Sequence, residues 1–122
     1  MIDRGNFRYV MFDACSGLGG ASEAMVQHHR WLVIRADSDP DGVLADAWPP
    51  FTHKFDIKEI AWNRNAHHFV RPGDLTLFWA SVPCDDFSQA FAAPGPTAQR
   101  AGEDFEPDMT VLEAALELRR RW

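Results

Sequence analysis

The chain predicts an α/β domain built on a parallel sheet with flanking helices. Three observations carry that expectation: four apolar, β-rich runs recur along the sequence, amphipathic segments fall between them, and each run ends in polar or glycine-bearing punctuation. Strands that alternate with helices pair in parallel, because a helical crossover brings the chain back to the same edge of the sheet.

The first strand is expected over Tyr9 to Phe12, followed by the turn Asp13-Ala14-Cys15-Ser16-Gly17-Leu18-Gly19-Gly20. Gly20 to His29 predicts a helix, since Ala21, Ala24, Met25 and His28 recur at helical spacing. A second strand follows at Trp31 to Ile34, then a short helix over 41–48 that Trp48-Pro49-Pro50 stops. Thr52 to Phe55 is the weakest strand, and Lys58 to Asn65 is the next helix. Arg71-Pro72-Gly73-Asp74 turns the chain into the fourth strand, Leu75 to Trp79. Ser88 to Pro107 carries Pro94-Gly95-Pro96 and little periodicity, so it reads as a long loop of the kind that serves as a lid. The last helix opens on Asp108 as N-cap and runs through Val111, Leu112, Ala115 and Leu116, with Glu117 four residues before Arg121. A sheet ending on so apolar a strand as Leu75 to Trp79 leaves an edge that invites pairing, so further strands are expected from additional sequence or another chain.

Composition narrows the classes. The 122 residues allow one domain, and a hydrophobic fraction of 46% is ample for its core. No run approaches the roughly 18 apolar residues that span a bilayer, and the N-terminus lacks the layout of a signal peptide, so no membrane partner and a cytoplasmic or nucleoid-associated location are expected. Twelve basic against 18 acidic residues give a net charge of −6, the wrong sign for gripping nucleic acid by its phosphates alone. The two cysteines lack CxxC spacing, which argues against a zinc site or a disulfide framework. His28-His29 and His67-His68 are adjacent pairs that share no helix face, so no metal site is expected. The five tryptophans are read as core or edge packing, and Arg119 to Arg121 as a solvated helix end.

Chemistry concentrates at two strand ends. A lone cysteine is most often a small buried hydrophobe, but Cys84 follows Pro83 directly beyond an apolar strand, where α/β sheets carry out their chemistry. Upstream, Gly17, Gly19 and Gly20 permit a tight turn and close approach of backbone to a ligand. Asp37, twenty residues past the glycines and just beyond the second strand, can accept both hydroxyls of a ribose. Taken singly, Asp37, Asp39 and Asp41 read first as a solvated, turn-forming patch. Asp56, beyond the third strand, completes a candidate nucleoside clamp.

Together these residues resemble the S-adenosylmethionine-dependent DNA cytosine-5 methyltransferases, over most of the chain from Tyr9 to Ser88. Asp13 through Gly20 is similar to the family's first motif, Asp37 to the acid of its second, Asp56-Ile57 to its third, and Pro83-Cys84 with Phe87-Ser88 to its catalytic fourth. The resemblance implies a Rossmann-like methyltransferase fold with a partial parallel sheet of about four strands in the order 3-2-1-4. It implies S-adenosyl-L-methionine as cofactor, held by Asp13, Ser16, Gly17, Gly19, Gly20, Asp37, Ser38, Asp56 and Ile57, and DNA as substrate. Cys84 is then the nucleophile that adds to C6 of a flipped cytosine, while Pro83, Phe87 and Ser88 belong to the substrate loop that closes over the base. The chain departs from the pattern at Cys15 and Ser38, where the family has aromatics, and at Asp85, where it has glutamine. The family's Glu-Asn-Val motif and target-recognition region have no counterpart in these 122 residues, so the chain is expected to be an incomplete catalytic domain, either the N-terminal part of a longer protein or one partner of a split enzyme completed by a C-terminal chain. Two other functions fit the same residues: methylation of cytosine in RNA, and a non-catalytic cofactor-binding or assembly module.

Overall fold

A computed structural model of the chain describes residues 4–39, 42–44, 47–63 and 66–122. Four parallel strands form one sheet in the order β3-β2-β1-β4: β1 Tyr9–Ala14, β2 Trp31–Ala36, β3 Thr52–His53 and β4 Leu77–Ala80. Around them lie α1 Glu23–Val26, α2 Ile57–Trp62, α3 Ala66–Phe69, α4 Pro94–Arg100 and α5 Thr110–Arg121. The strand order and the flanking helices agree with the sequence-based expectation.

Alternation along the two central strands divides the sheet into two unlike faces. Val10, Phe12, Ala14, Ile34 and Ala36 join Ile57, Ile60 and Ala61 of α2, Ala66, Val70, and Ala114, Ala115 and Leu118 of α5 in one apolar core. Trp122 closes this core: its ring centroid lies 4.6 Å from that of Phe12, and its indole N–H donates to the Ala66 carbonyl at 3.0 Å. On the opposite face Met11, Asp13, Val33 and Arg35 are all buried, and two of these four carry charge. That polar half lies beneath the glycine turn and the start of α1.

Side chains hold the starts of two helices. Asp56 accepts from the Lys58 N–H at 2.9 Å at the start of α2, and Asp108 accepts from both the N–H and the hydroxyl of Thr110 at 2.9 and 2.7 Å at the start of α5. At the other end of α5, Glu117 pairs with Arg120 and Arg121 at 2.6 and 3.0 Å, and these hydrogen bonds hold its carboxyl down at about 2.

Several elements differ from expectation. The helix expected over Gly20 to His29 shrinks to four residues with none buried, because Ser22 is tied to the sheet at its start while turns around His28 end it. Of the helix expected over 41–48, residues 41, 45 and 46 lie outside the described residues. At 42–44 the chain bends, since the Asp39 carboxylate accepts from the N–H groups of Val43 and Leu44 in competition with helix formation. The helix expected to reach Asn65 has Trp62 as its last residue, and 64–65 lie outside the described residues. The stretch read as a loop contains α4, with Pro94 in its first turn and Gly102, at φ +72°, after its end. There the Glu103 N–H reaches the Ala98 carbonyl and the Gly102 N–H reaches that of Gln99, the paired bonds of a Schellman stop. Trp62 is 56% exposed, so it is a surface residue and not packing, whereas Trp79 sits half-exposed on edge strand β4.

Candidate functional site at the carboxyl edge of the sheet

Parallel pairing brings four chain segments out of the sheet side by side. Ala14 is in register with both Ala36 and Ala80, and Ala36 with His53, so the residues that follow each strand crowd one edge. Backbone bonds extend the ladders beyond the strands: Ser16 N–H to the Ala36 carbonyl, Asp37 N–H to that of His53, and Ser81 N–H to that of Ala14, at 3.1–3.2 Å.

A cavity of about 200 Å³ opens there. Its walls include Cys15, Asp37, Ser38, Asp56, Ile57 and Pro83, together with Phe55, Lys58 and Val111. Carboxylates and apolar side chains share this lining, a composition suited to a ligand with a flat ring and a hydroxylated sugar. Asp37 is held from two directions, one oxygen accepting from the Gly17 N–H at 2.8 Å and the other from the Asp39 N–H at 2.6 Å. Each carboxylate oxygen keeps further acceptor capacity. Asp56, fixed by its capping bond, also has the Lys58 ammonium 3.5 Å away.

The glycine turn is organised from behind. Asp13 is fully buried in β1, and its Oδ2 accepts from the Ser22 hydroxyl at 2.6 Å. Burial raises its pKa, opposed by the Ser22 hydrogen bond and the Arg35 charge. Two buried side-chain atoms beside the turn, Asp13 Oδ1 and Ser16 Oγ, have no partner among the described residues. A Cβ on Gly17 or Gly20 would meet open space, so both leave the backbone accessible. Gly19 differs: at φ +79°, a Cβ there would stand 2.6 Å from the Arg35 guanidinium carbon. What approaches Gly19 on its Cβ side is therefore the protein's own arginine.

Cys15, at φ +54°, is a partly buried wall of the cavity. Burial pushes its thiol up to about 11, with Asp37, Asp56 and Asp13 adding to the effect, so it stays protonated at neutral pH. Cys84 is exposed one residue past Pro83, and its carbonyl accepts from the Phe87 N–H at 3.0 Å in a 3₁₀ turn over Asp85–Phe87. Asp86 accepts from the Asp108 N–H at 2.9 Å, which ties this turn to the segment leading into α5.

The structure thus gathers Asp37, Ser38, Asp56, Ile57 and Pro83 around one cavity, with Gly17 bonded to its rim. Asp13 lies behind the turn, in β1, and Gly19 is the turn residue that packs against Arg35. Cys84, Phe87 and Ser88 belong to the neighbouring turn and do not line this cavity; Phe87 and Ser88 line a separate, more open hollow against Gly95, Pro96 and Phe105. Sequence reasoning missed Arg35, Lys58, Phe55 and Val111. A charge directly after the apolar run Trp31 to Ile34 was a legible signal for Arg35; Val111 comes from a distant helix and offered no local signal. Among the described residues no group of three His, Cys, Asp or Glu side chains is arranged to hold a metal, and no helix is long and apolar enough to cross a membrane. The chain matches no protein-family model, and no curated protein or solved structure shows significant similarity to it.

Proposed function

We propose that the chain is the cofactor-binding and nucleophile-bearing half of a Rossmann-like methyltransferase that acts on C5 of cytosine in DNA. One observation carries this reading: the Pro83-Cys84-Asp85-Asp86-Phe87-Ser88 string leaves the same sheet edge as the glycine turn and the cavity walled by Asp37, Ser38, Asp56 and Ile57.

The residues fit S-adenosylmethionine. Asp37 offers acceptor capacity to ribose hydroxyls, Phe55, Ile57 and Val111 offer apolar contact to adenine, and the orphaned oxygens of Ser16 and Asp13 suit donors on the amino-acid end. When bound, this cofactor supplies an electrophilic methyl group on a sulfonium. The exposed Cys84 is reachable by a base swung out of a duplex, and its thiolate adds to C6, making C5 nucleophilic. Loss of the C5 proton after transfer lets the thiolate leave. The glutamate that holds the cytosine ring in the family has no counterpart in these residues, so turnover requires it from further C-terminal sequence or a complementing chain.

DNA containing 5-fluorocytosine, offered with S-adenosylmethionine and a complementing chain bearing the Glu-Asn-Val motif, is expected to give a denaturant-resistant adduct with the wild type and none with Cys84→Ser. No wild-type adduct, where a competent control enzyme forms one, overturns the assignment of Cys84. Cofactor binding is separable: in calorimetric titration Asp37→Ala is expected to weaken S-adenosylmethionine by about tenfold or more, as for loss of hydrogen bonds to a charged group. A second reading, a cofactor-binding module without turnover, is favoured by Asp85 and Asp86, whose charges follow the thiol directly. Its signature is cofactor binding without adduct.

A further inference from the structure

Arg35 is the most densely bonded side chain described, and the proposed chemistry does not use it. It is fully buried on the polar face of β2. Its Nε donates to the Ser22 hydroxyl at 2.8 Å, Nη1 to the Pro50 carbonyl at 3.0 Å, and Nη2 to both the Gly19 carbonyl at 3.0 Å and the Glu23 carboxylate at 2.9 Å. One guanidinium thus joins the glycine turn, the start of α1 and the segment entering β3. A buried cation is costly unless fully bonded, so its rigid fork fixes the positions of the groups it meets. Gly19 is the steric counterpart, because only a residue without Cβ leaves room for the fork.

The consequence runs forward to the cavity. Gly17, two residues before Gly19, donates to Asp37, and Asp37 follows Arg35 by two residues, just beyond the end of β2. We propose that Arg35 is a positioning residue that locks the glycine turn against β2 and presets the turn's ligand-facing side, including Ser16 and Gly17, for the amino-acid end of the cofactor. This rests on the cofactor reading above. The lock is intramolecular and exists before any ligand arrives.

Arg35→Lys keeps a cation but loses the fork, and Glu23→Gln weakens one partner at an exposed position without touching the core. The probes are S-adenosylmethionine, which spans cavity and turn, and adenosine, which reaches the cavity alone. Calorimetric titration is expected to show S-adenosylmethionine weakened by about tenfold in Arg35→Lys and about twofold in Glu23→Gln, with adenosine changed by less than about twofold in both. Hydrogen exchange in the ligand-free protein is expected to speed up by about tenfold at residues 17–20 in Arg35→Lys, with β1 unchanged. Equal weakening of both ligands, or unchanged affinity for S-adenosylmethionine, overturns the positioning role. If Arg35→Lys fails to fold, Glu23→Gln decides by the same ratio. Failure of the wild type to bind either ligand overturns the cofactor reading instead, and unchanged exchange at 17–20 then overturns the lock as well.

Discussion

Cys15 and Cys84 follow neighbouring strands yet meet opposite surroundings. Cys15 is partly buried among the carboxylates of Asp37, Asp56 and Asp13, whereas Cys84 is exposed on its 3₁₀ turn. Cys15 is an acid whose folded-state pKa lies near 11 against an ordinary value of 9.0. Between those values the unfolded chain loses the proton and the folded chain keeps it, so stability is intact below pH 9 and falls as pH rises toward 11. Thermal melts across that window are expected to show this loss in the wild type and a shallower one in Cys15→Ser. An identical slope in the two proteins contradicts the assignment. Sequence alone placed both thiols at strand ends, because a proline or glycine turn after an apolar run is a local signal. It could not separate their environments, which depend on which side chains the fold brings around each sulfur.

At the scale of the element, the glycine turn shows how similar residues serve unlike ends. Gly19→Ala drives a Cβ into the Arg35 guanidinium at a positive φ, whereas Gly20→Ala meets open space at an ordinary φ. Urea titration is expected to show Gly19→Ala destabilised by about 2 kcal/mol or more, with Gly20→Ala within about 0.5 kcal/mol of the wild type. The cofactor reading adds that Gly20→Ala weakens S-adenosylmethionine binding while leaving stability nearly untouched. Comparable stability of the two variants contradicts the steric account. The turn itself was legible, since glycines after a strand announce it. The partner that makes Gly19 obligatory sits on β2, sixteen residues away, and left only the trace of an arginine at the end of an apolar run. The shortening of α1 has a related cause, because the Ser22 hydroxyl donates to Asp13 and accepts from Arg35, which fixes where the helix can begin. Helix α4 was overlooked for a different reason: Pro94 and Gly102 mark its two ends in the sequence, but its seven residues bury no side chain and so give no apolar stripe.

Across the whole molecule, charge and topology point in different directions. The carboxyl edge of the sheet gathers the candidate chemistry, but a net charge of −6 opposes a polyanion, and Asp85 and Asp86 add negative charge beside Cys84. The chain by itself is expected to bind duplex DNA more weakly than about 100 μM at roughly 150 mM salt, measured by fluorescence anisotropy. Tight binding by the isolated chain contradicts the view that a complementing chain supplies the grip. Four parallel strands with helices between them were fixed by alternation of apolar runs and turn residues, because periodicity and punctuation are properties of neighbours along the chain. The same local logic determined which acids, glycines and thiols stand at strand ends. Only the tertiary structure decided that Arg35 fills the space beside Gly19, that Asp37 is held by the Gly17 N–H, and that Val111 of α5 helps wall the cavity. Those contacts join segments far apart in sequence, and their existence depends on the register and packing of the completed sheet, which no window of neighbouring residues encodes.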